Sequence, residues 1–586
     1  METKNFKKAN WWEDAIIYQI YPRSFKDTSE NGNGDLKGII QNLDYLNNGT
    51  EKSLGIDAIW INPFYKSPQI DGGYDIQDYE EIDPMYGTMK DMELLIEEAH
   101  KREIRVIIDF VPNHTSDQHE WFLESRSSKN NPKRDWYIWR DPKPDGSLPN
   151  NWGSVFGGKA WEWDEKTQQY YFHQFCKEQP DLNLFKKEPR EAIYNAMRFW
   201  LDKGIDGFRL DAINHIGKHP DWPDQPLKDP KDLLPSETSI YDRQQHFYDN
   251  DQDWAHREIF TKFRKIIEEY GKDKLLISEA YVGIGREFKE HSLRELFKYY
   301  GNKENPKIHL PFNFSLINIP WNAKVVKYEV DAYDELVRGY GWPNYVFGNH
   351  DNPRIGSRVG EEQKKNAALL LLTLRGTPTI YYGDELGLEN VEIPESMMKD
   401  PNAITYGPEK SRDPSRTPMP WNNSFNGGFC PENVRPWLPL NEDLQYRNVQ
   451  CLDDNPGSIL NFYRKLIWMR KKSPALKYGD YISIEIEVSY INKSVKEGMK
   501  CNDFQITKDK EDKEAFGFIR KYENEIYIIL INFSDKALKI KNSKINGKII
   551  VSTLKEIKGH FEPLNDNFMF ENVNLKPNEG IIIKNL

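Results

Sequence analysis

Asp211, Glu279 and Asp351 each close a β-branched or aromatic apolar run, in GFRLDAIN (207–214), KLLISEAY (274–281) and YVFGNHD (345–351). One acid in such a place reads as a cap or a solvated turn residue. Three of them, delivered to one site, can divide nucleophilic, acid/base and charge-stabilising work. Arg209 stands two residues before Asp211 on the same strand face, where a buried guanidinium would hold a carboxylate ionised. His350 directly precedes Asp351, and Asn113 with His114 closes a fourth run, IRVIIDFVPNH (104–114).

A parallel barrel that opens its strand ends onto one face would bring these residues together. Continuous apolar runs mark strands buried on both faces, and they recur at 15–21, 56–61, 104–110, 207–211, 275–279, 308–314, 345–349 and 378–382. Helical patterns lie between them. In EPREAIYNAMRFWLDKG (188–204), Ile193, Met197, Trp200 and Leu201 share a face and Gly204 is placed to end the helix. Another pattern runs from Glu361 to Gly376. The expected fold is therefore a (β/α)8 barrel, the TIM-barrel class of α/β protein.

Two insertions and one appendage complete the expected organisation. The third strand is followed by a long Trp-, Gly-, Asn- and Pro-rich connection, too long for a structureless loop, which reads as a subdomain walling the site. A second, Pro- and Asp-rich insertion spans about 214–253 and should form a further rim. After about 475 the alternation gives way to hairpin chemistry, with EAFGFIRKY paired to IYIILINFS and Asn546-Gly547 marking a tight turn. The Lys-, Asp- and Glu-rich stretch 494–514 reads as a solvated loop. The expected division is 1–112 and 187–475 for the barrel, 113–186 for the inserted subdomain, and 476–586 for a C-terminal antiparallel β-sandwich.

Composition narrows the function. The 586 residues carry a net charge of −12 with no basic stripe, which argues against nucleic acid or an anionic membrane as partner. No window approaches a spanning apolar stretch, and the N-terminal METKNFKKANWWED has no apolar stretch of the signal-peptide kind, so a cytoplasmic location is expected. Aromatic content of 13% suits a surface that stacks on sugar rings. Cys176, Cys430, Cys451 and Cys501 make neither a disulfide framework nor a metal site; reduced thiols are expected, with Cys430–Cys451 the alternative pairing in an exported protein.

The motifs DFVPNH (109–114), QPDLN (179–183), GFRLDAIN (207–214), SEAY (278–281) and FGNHD (347–351) resemble, in order and spacing, the signature of the α-amylase-type glycoside hydrolases, family 13. DGGYD (71–75), YYGDELGLENV (381–391) and SRDPSRTPMPW (411–421) are similar to the α-glucosidase and oligo-1,6-glucosidase branch. The resemblance implies Asp211 as nucleophile, Glu279 as general acid/base and Asp351 as transition-state stabiliser, with Arg209 depressing the pKa of Asp211. His114 and His350 would donate to hydroxyls of a bound glucose and Tyr74 would stack under it. Asp71 and Arg416 would grip its 4-hydroxyl and close a blind pocket, with Arg412 as the alternative arginine. It implies a small oligosaccharide substrate, no catalytic cofactor, and an exo-acting retaining α-glucosidase, with oligo-1,6-glucosidase, sucrose isomerase and trehalose synthase as alternatives. A non-enzymatic transporter heavy chain lacks support, since it needs a membrane helix and a degraded acid set. Ala212 stands where, in similar glucosidases, Val accompanies α-1,6 preference and Ala or Thr accompanies α-1,4.

A second constellation is DTSENGNGD (27–35). Oxygen-bearing side chains at alternate positions, Asp27, Ser29, Asn31, Asn33 and Asp35, suit a loop wrapped on a structural Ca²⁺ or Mg²⁺. The competing reading is an Asn/Gly turn held by its own side-chain hydrogen bonds.

Overall fold

The computed structural model describes residues 10–585 except 233–238, 242, 281–288, 318, 491–513 and 555–567. Eight parallel strands form a nearly closed barrel. They are β1 (Ile17–Ile20), β2 (Ala58–Ile61), β3 (Arg105–Phe110), β4 (Gly207–Leu210), β5 (Leu275–Ser278), β6 (Leu310–Pro311), β7 (Asn344–Val346) and β8 (Thr377–Tyr381). Each pairs with its neighbours in chain order except β6 with β7, and β8 returns to β1. Between β6 and β7 the side chain of Asn344 replaces the ladder. It donates to the Pro311 carbonyl at 2.6 Å and accepts from the Asn313 amide at 3.0 Å.

Strand periodicity sorts the side chains into two layers. Ile17, Ala58, Trp60, Ile107, Leu275, Ile277, Leu310 and Val346 fill the barrel interior as one apolar cluster. The alternate positions, such as Ile16, Tyr18, Ile59, Ile108, Phe208 and Leu276, pack outward in the larger core shared with the helices. Continuing the inward parity past the apolar layer reaches Gln19, Asn62, Asp109, Arg209, Asp211 and Glu279. The helix Lys187–Asp202 buries Ile193, Met197, Trp200 and Leu201 as expected, and Gly204 follows it at φ +97°.

The connection after β3 carries a small antiparallel sheet of Trp139–Arg140, Gln169–Phe172 and Trp161–Asp164. The second insertion braces it. Trp222 packs on Trp152, Trp161 and Phe172, and Trp152 donates to the Pro223 carbonyl at 2.7 Å.

The C-terminal sheet is antiparallel, and the expected hairpin is present as Ala515–Tyr522 with Glu525–Asn532. Asn546-Gly547 is not a turn, which corrects the sequence reading. Both residues lie inside the long strand Leu538–Ser552, opposite Met569 and Phe568. A Cβ at Gly547 would come within 2.5 Å of the Lys584 carbonyl oxygen, so glycine is there for close backbone approach. The expected loop 494–514 falls, but for Glu514, outside the described residues. Cys176, Cys430 and Cys451 are unpaired, and Cys501 lies outside the described residues. Among the described residues no helix is long and apolar enough to cross a membrane.

Candidate active site

Arg209 is the hub. Fully buried on β4, it lies opposite Asp109 in the β3–β4 ladder. Its Nη1 donates to Asp109 Oδ1 and Asp211 Oδ1, both at 2.7 Å, and its Nη2 donates to Glu279 Oε2 at 2.6 Å. One guanidinium thus gathers carboxylates from three adjacent strand ends. Asp109 is braced on its other oxygen by Trp60 Nε1, Asn62 Nδ2 and the Tyr74 hydroxyl. Ala212 then takes a left-handed turn, φ 47° and ψ 31°, that ends β4 and starts the short turn Ile213–His215.

Arg209 lowers the pKa of Asp211 but is outweighed. Burial and the charge of Glu279 push Asp211 well above the usual carboxylate range, and Arg209, divided among three acids, only partly opposes them. Asp211 and Glu279 are close enough to share a hydrogen bond when one is protonated. Asp351 is different. Burial works against its charge, yet it is held well below the usual range. Burial keeps His350 neutral, so the guanidinium groups of Arg412 at 3.0 Å and Arg416 at 3.1 Å carry that effect.

His350 is fixed from several sides. Its ring stacks on Tyr74 with centroids 5.4 Å apart and meets the Tyr74 hydroxyl at 2.7 Å, while Gln19 Nε2 meets Nδ1 at 2.9 Å. Burial lowers the pKa of His114 to about 4, so it too is neutral near pH 7. Gln179 of the inserted subdomain reaches both His114 at 3.2 Å and Asp71 at 3.1 Å.

Asp71, Tyr74, His114, Asp211, Glu279, His350 and Asp351 all face one cavity of about 320 Å³, and Arg412 closes it beside Asp71. Arg412 Nη2 donates to Asp71 at 2.7 Å and to Asp400 at 2.7 Å. The pairing of Asp71 with Arg416 is therefore corrected in favour of Arg412. Arg412 and Arg416 flank the turn Asp413–Ser415. Arg416 stands behind the wall, donating to the His350 carbonyl at 2.7 Å.

Sequence reasoning passed over several supports of this cavity. Asp109 lay inside a quoted motif and would have been found by extending the inward strand parity. Asp181, Lys218 and Asn113 form a buried cluster in which Lys218 Nζ donates to Asp181 at 2.6 Å and to Asn113 at 2.9 Å. It ties both insertions to the end of β3. Phe156 and Phe175 of the first insertion, with Asn214 and His215 of the second, wall the mouth.

The 27–35 loop is held by its own side chains. Asp27 accepts from the amides of Ser29, Glu30 and Gly32, and Asp35 from those of Thr28, Ser29 and Gly38. Asn31 accepts from the Asn33 amide, and Asn33 from Arg23. The turn supplies its own partners, and Asp35 caps the helix Leu36–Gln41. Among the described residues no group of three or more His, Cys, Asp or Glu is placed to hold a metal ion.

The family model for the α-amylase catalytic domain matches residues 19–479. The chain belongs to the α-amylase family. This family member is a glycoside hydrolase. It is 40% identical to an oligo-1,6-glucosidase of Heyndrickxia coagulans over 81% of its own length and 87% of the relative's. It is 38% identical to a probable α-glucosidase of Rhizobium meliloti (strain 1021), with 90% of each chain covered. Among solved structures, an α-glucosyl transfer enzyme superposes with a TM-score of 0.83 at 33% identity, covering 99% of this chain and 100% of the other.

Proposed function

We propose that this glycoside hydrolase is an exo-acting, retaining α-glucosidase that releases terminal, non-reducing, α-1,4-linked glucose from maltose-type oligosaccharides and small α-glucosides. The observation that carries this reading is the blind cavity, with the acids on one wall and the Asp71–Arg412 pair across its end. A polymer has no way through, so cleavage proceeds one terminal residue at a time.

In this reading an Asp211 oxygen attacks the anomeric carbon as the glycosidic bond breaks, and Glu279 gives its proton to the departing oxygen. Asp351, kept ionised by its arginines, holds ring hydroxyls and stabilises the positive charge that develops at the anomeric centre. Glu279 then takes a proton from water, whose oxygen displaces Asp211 and releases glucose with its configuration kept. The proximity of Asp211 to Glu279 supports retention, because an inverting pair needs a wider gap for water, about 6.5–9.5 Å. Neutral His114 and His350 offer hydrogen bonds to the same sugar, with Tyr74 beneath it. The reaction needs no cofactor. Residues 1–112 and 187–475 supply the acids, 113–186 wall the site, and 476–586 form the appended domain.

Oligo-1,6-glucosidase action is the second reading, supported by the name of the Heyndrickxia relative. It uses the same acids and differs only in the walls beyond the cleaved bond. Incubation with maltose, isomaltose, sucrose and trehalose separates the two, with products followed by chromatography and anomers by proton NMR. Maltose turning over fastest to α-glucose is expected. Initial β-glucose would overturn retention, and faster isomaltose cleavage would favour the second reading.

A further inference from the structure

Asp400 stands behind the cavity wall, outside the motifs quoted above, and touches no part of the cavity lining. It caps the short helix Pro401–Tyr406, accepting from the Asn402 amide at 3.2 Å, and is 2% exposed. Its carboxylate meets Arg412 along one edge of the guanidinium. Oδ1 accepts from Nη2 at 2.7 Å and from Nε at 3.0 Å, and Oδ2 accepts from Nε at 3.0 Å and from the Arg412 amide. The amides of Lys399 and Asp400 donate to Asp413 Oδ2 at 2.6 and 3.1 Å, which locks this stretch onto the turn that follows Arg412.

We propose that Asp400 is a positioning residue: it aims Arg412 and thereby fixes recognition of the 4-hydroxyl of the terminal glucose. The proposal rests on the reading of the cavity as a blind glucose pocket. Arg412 has three acids around it. Two are on the cavity side, where Nη2 donates to Asp71 Oδ1 at 2.7 Å and Nη1 donates to Asp351 Oδ1 at 3.0 Å. With those two alone, the net pull on the guanidinium would point into the space that the sugar needs. Asp400 supplies the opposing pull, and its grip on both Nε and Nη2 fixes the plane of the guanidinium as a single contact would not. Burial works against the charge of Asp400, yet Arg412 holds its carboxyl below the usual range, so the pull is that of an ion near pH 7. Phe156 closes over the same guanidinium, 5.2 Å from its carbon to the ring centre. Arg412 is thus set beside Asp71, where one hydroxyl can meet an arginine donor and a carboxylate acceptor together.

The test is steady-state kinetics of the full chain with 4-nitrophenyl α-glucoside and its 4-deoxy analogue, in the wild type, Asp400→Asn and Asp71→Ala. The ratio of the two kcat/KM values reads the grip on the 4-hydroxyl and does not depend on the fraction of protein that is active. Asp400→Asn loses the charge and the two-point grip. It is expected to lower the ratio about 10–100-fold, the cost of a misplaced binding group, toward the ratio of Asp71→Ala. A residue that merely holds the fold would lower both kcat/KM values alike. If Asp400→Asn does not fold, Asp400→Glu, which keeps the charge but moves it by a methylene, is read by the same ratio and is expected to lower it. A wild-type ratio in the Asp400 variant, with Asp71→Ala lowering it, would overturn the proposal and leave the pocket reading standing. A ratio untouched by Asp71→Ala would overturn both.

Discussion

At the scale of single residues, the site sets reactivity against stability. Asp211 is buried, and its pKa is raised by that burial and by Glu279, so the ionised form that attacks is held at a cost to folding stability. A group raised on folding contributes stability that is fully present below its unfolded pKa and is lost as pH rises through its folded one. Asp211→Asn is nearly isosteric, keeps a hydrogen-bond acceptor for Arg209 and cannot form the glycosyl ester. It is expected to retain less than about a percent of wild-type kcat. Its thermal midpoint should equal or exceed that of the wild type, by a margin that widens from pH 4 toward neutrality. A variant that is less stable throughout, or one that keeps substantial turnover, would contradict this account.

At the scale of elements, the end of β4 decides how the nucleophile is presented. Ala212 sits in the left-handed region, where a Cβ is tolerated and a β-branched side chain is crowded. It is 5% exposed and lines the active cavity. Ala212→Val should therefore do two things. Backbone strain should lower stability by about 1–2 kcal/mol, measured by urea denaturation. The added methyl groups should narrow the space beyond the cleaved bond and move the maltose-to-isomaltose ratio of kcat/KM toward isomaltose, by a factor within the range of about 10–200 that such contacts command. An unchanged ratio would transfer the choice of linkage to the insertions, which supply Phe156, Phe175 and His215 to the mouth.

At the scale of the whole molecule, the buried Arg520 fastens the C-terminal sheet to the barrel, and Arg470 braces the same helix end from within the barrel. Arg520, on the strand Ala515–Tyr522, donates to the carbonyls of Thr373 at 2.6 Å and Gly479 at 2.9 Å, and Arg470 donates to those of Leu372 and Leu374. The carbonyls of Leu372, Thr373 and Leu374 lie at the end of the helix Lys364–Thr373, where no intrahelical donor reaches them, and that of Gly479 lies just before the strand Asp480–Ser483. Arg520→Leu leaves two buried acceptors without this donor. It is expected to cost about 2–4 kcal/mol by urea midpoint, while kcat per folded molecule stays unchanged because the acids sit on other elements. A fall in kcat without loss of stability would show instead that the C-terminal sheet governs the active site.

The amino-acid sequence by itself determined the barrel and the position of its chemistry. Apolar runs and a period of two are local properties, and they carry Asp109, Arg209, Asp211 and Glu279 to the inner face of adjacent strand ends whatever the loops do. The same parity left Asp109 legible though unassigned. Tertiary structure decided the rest. Arg412 and Arg416 flank one short turn, and only the packing of Asp400 and Asp71 selects Arg412 for the end of the cavity. The oxygens of 27–35 match a cation loop in spacing, and only the fold shows that both carboxylates also accept from nearby amides. Asn546-Gly547 has turn chemistry, but the close approach of Lys584 makes it strand. Gln179 and Lys218 join the site from insertions remote in sequence, because contacts between distant segments are set by how the layers pack and leave no periodic trace in the chain.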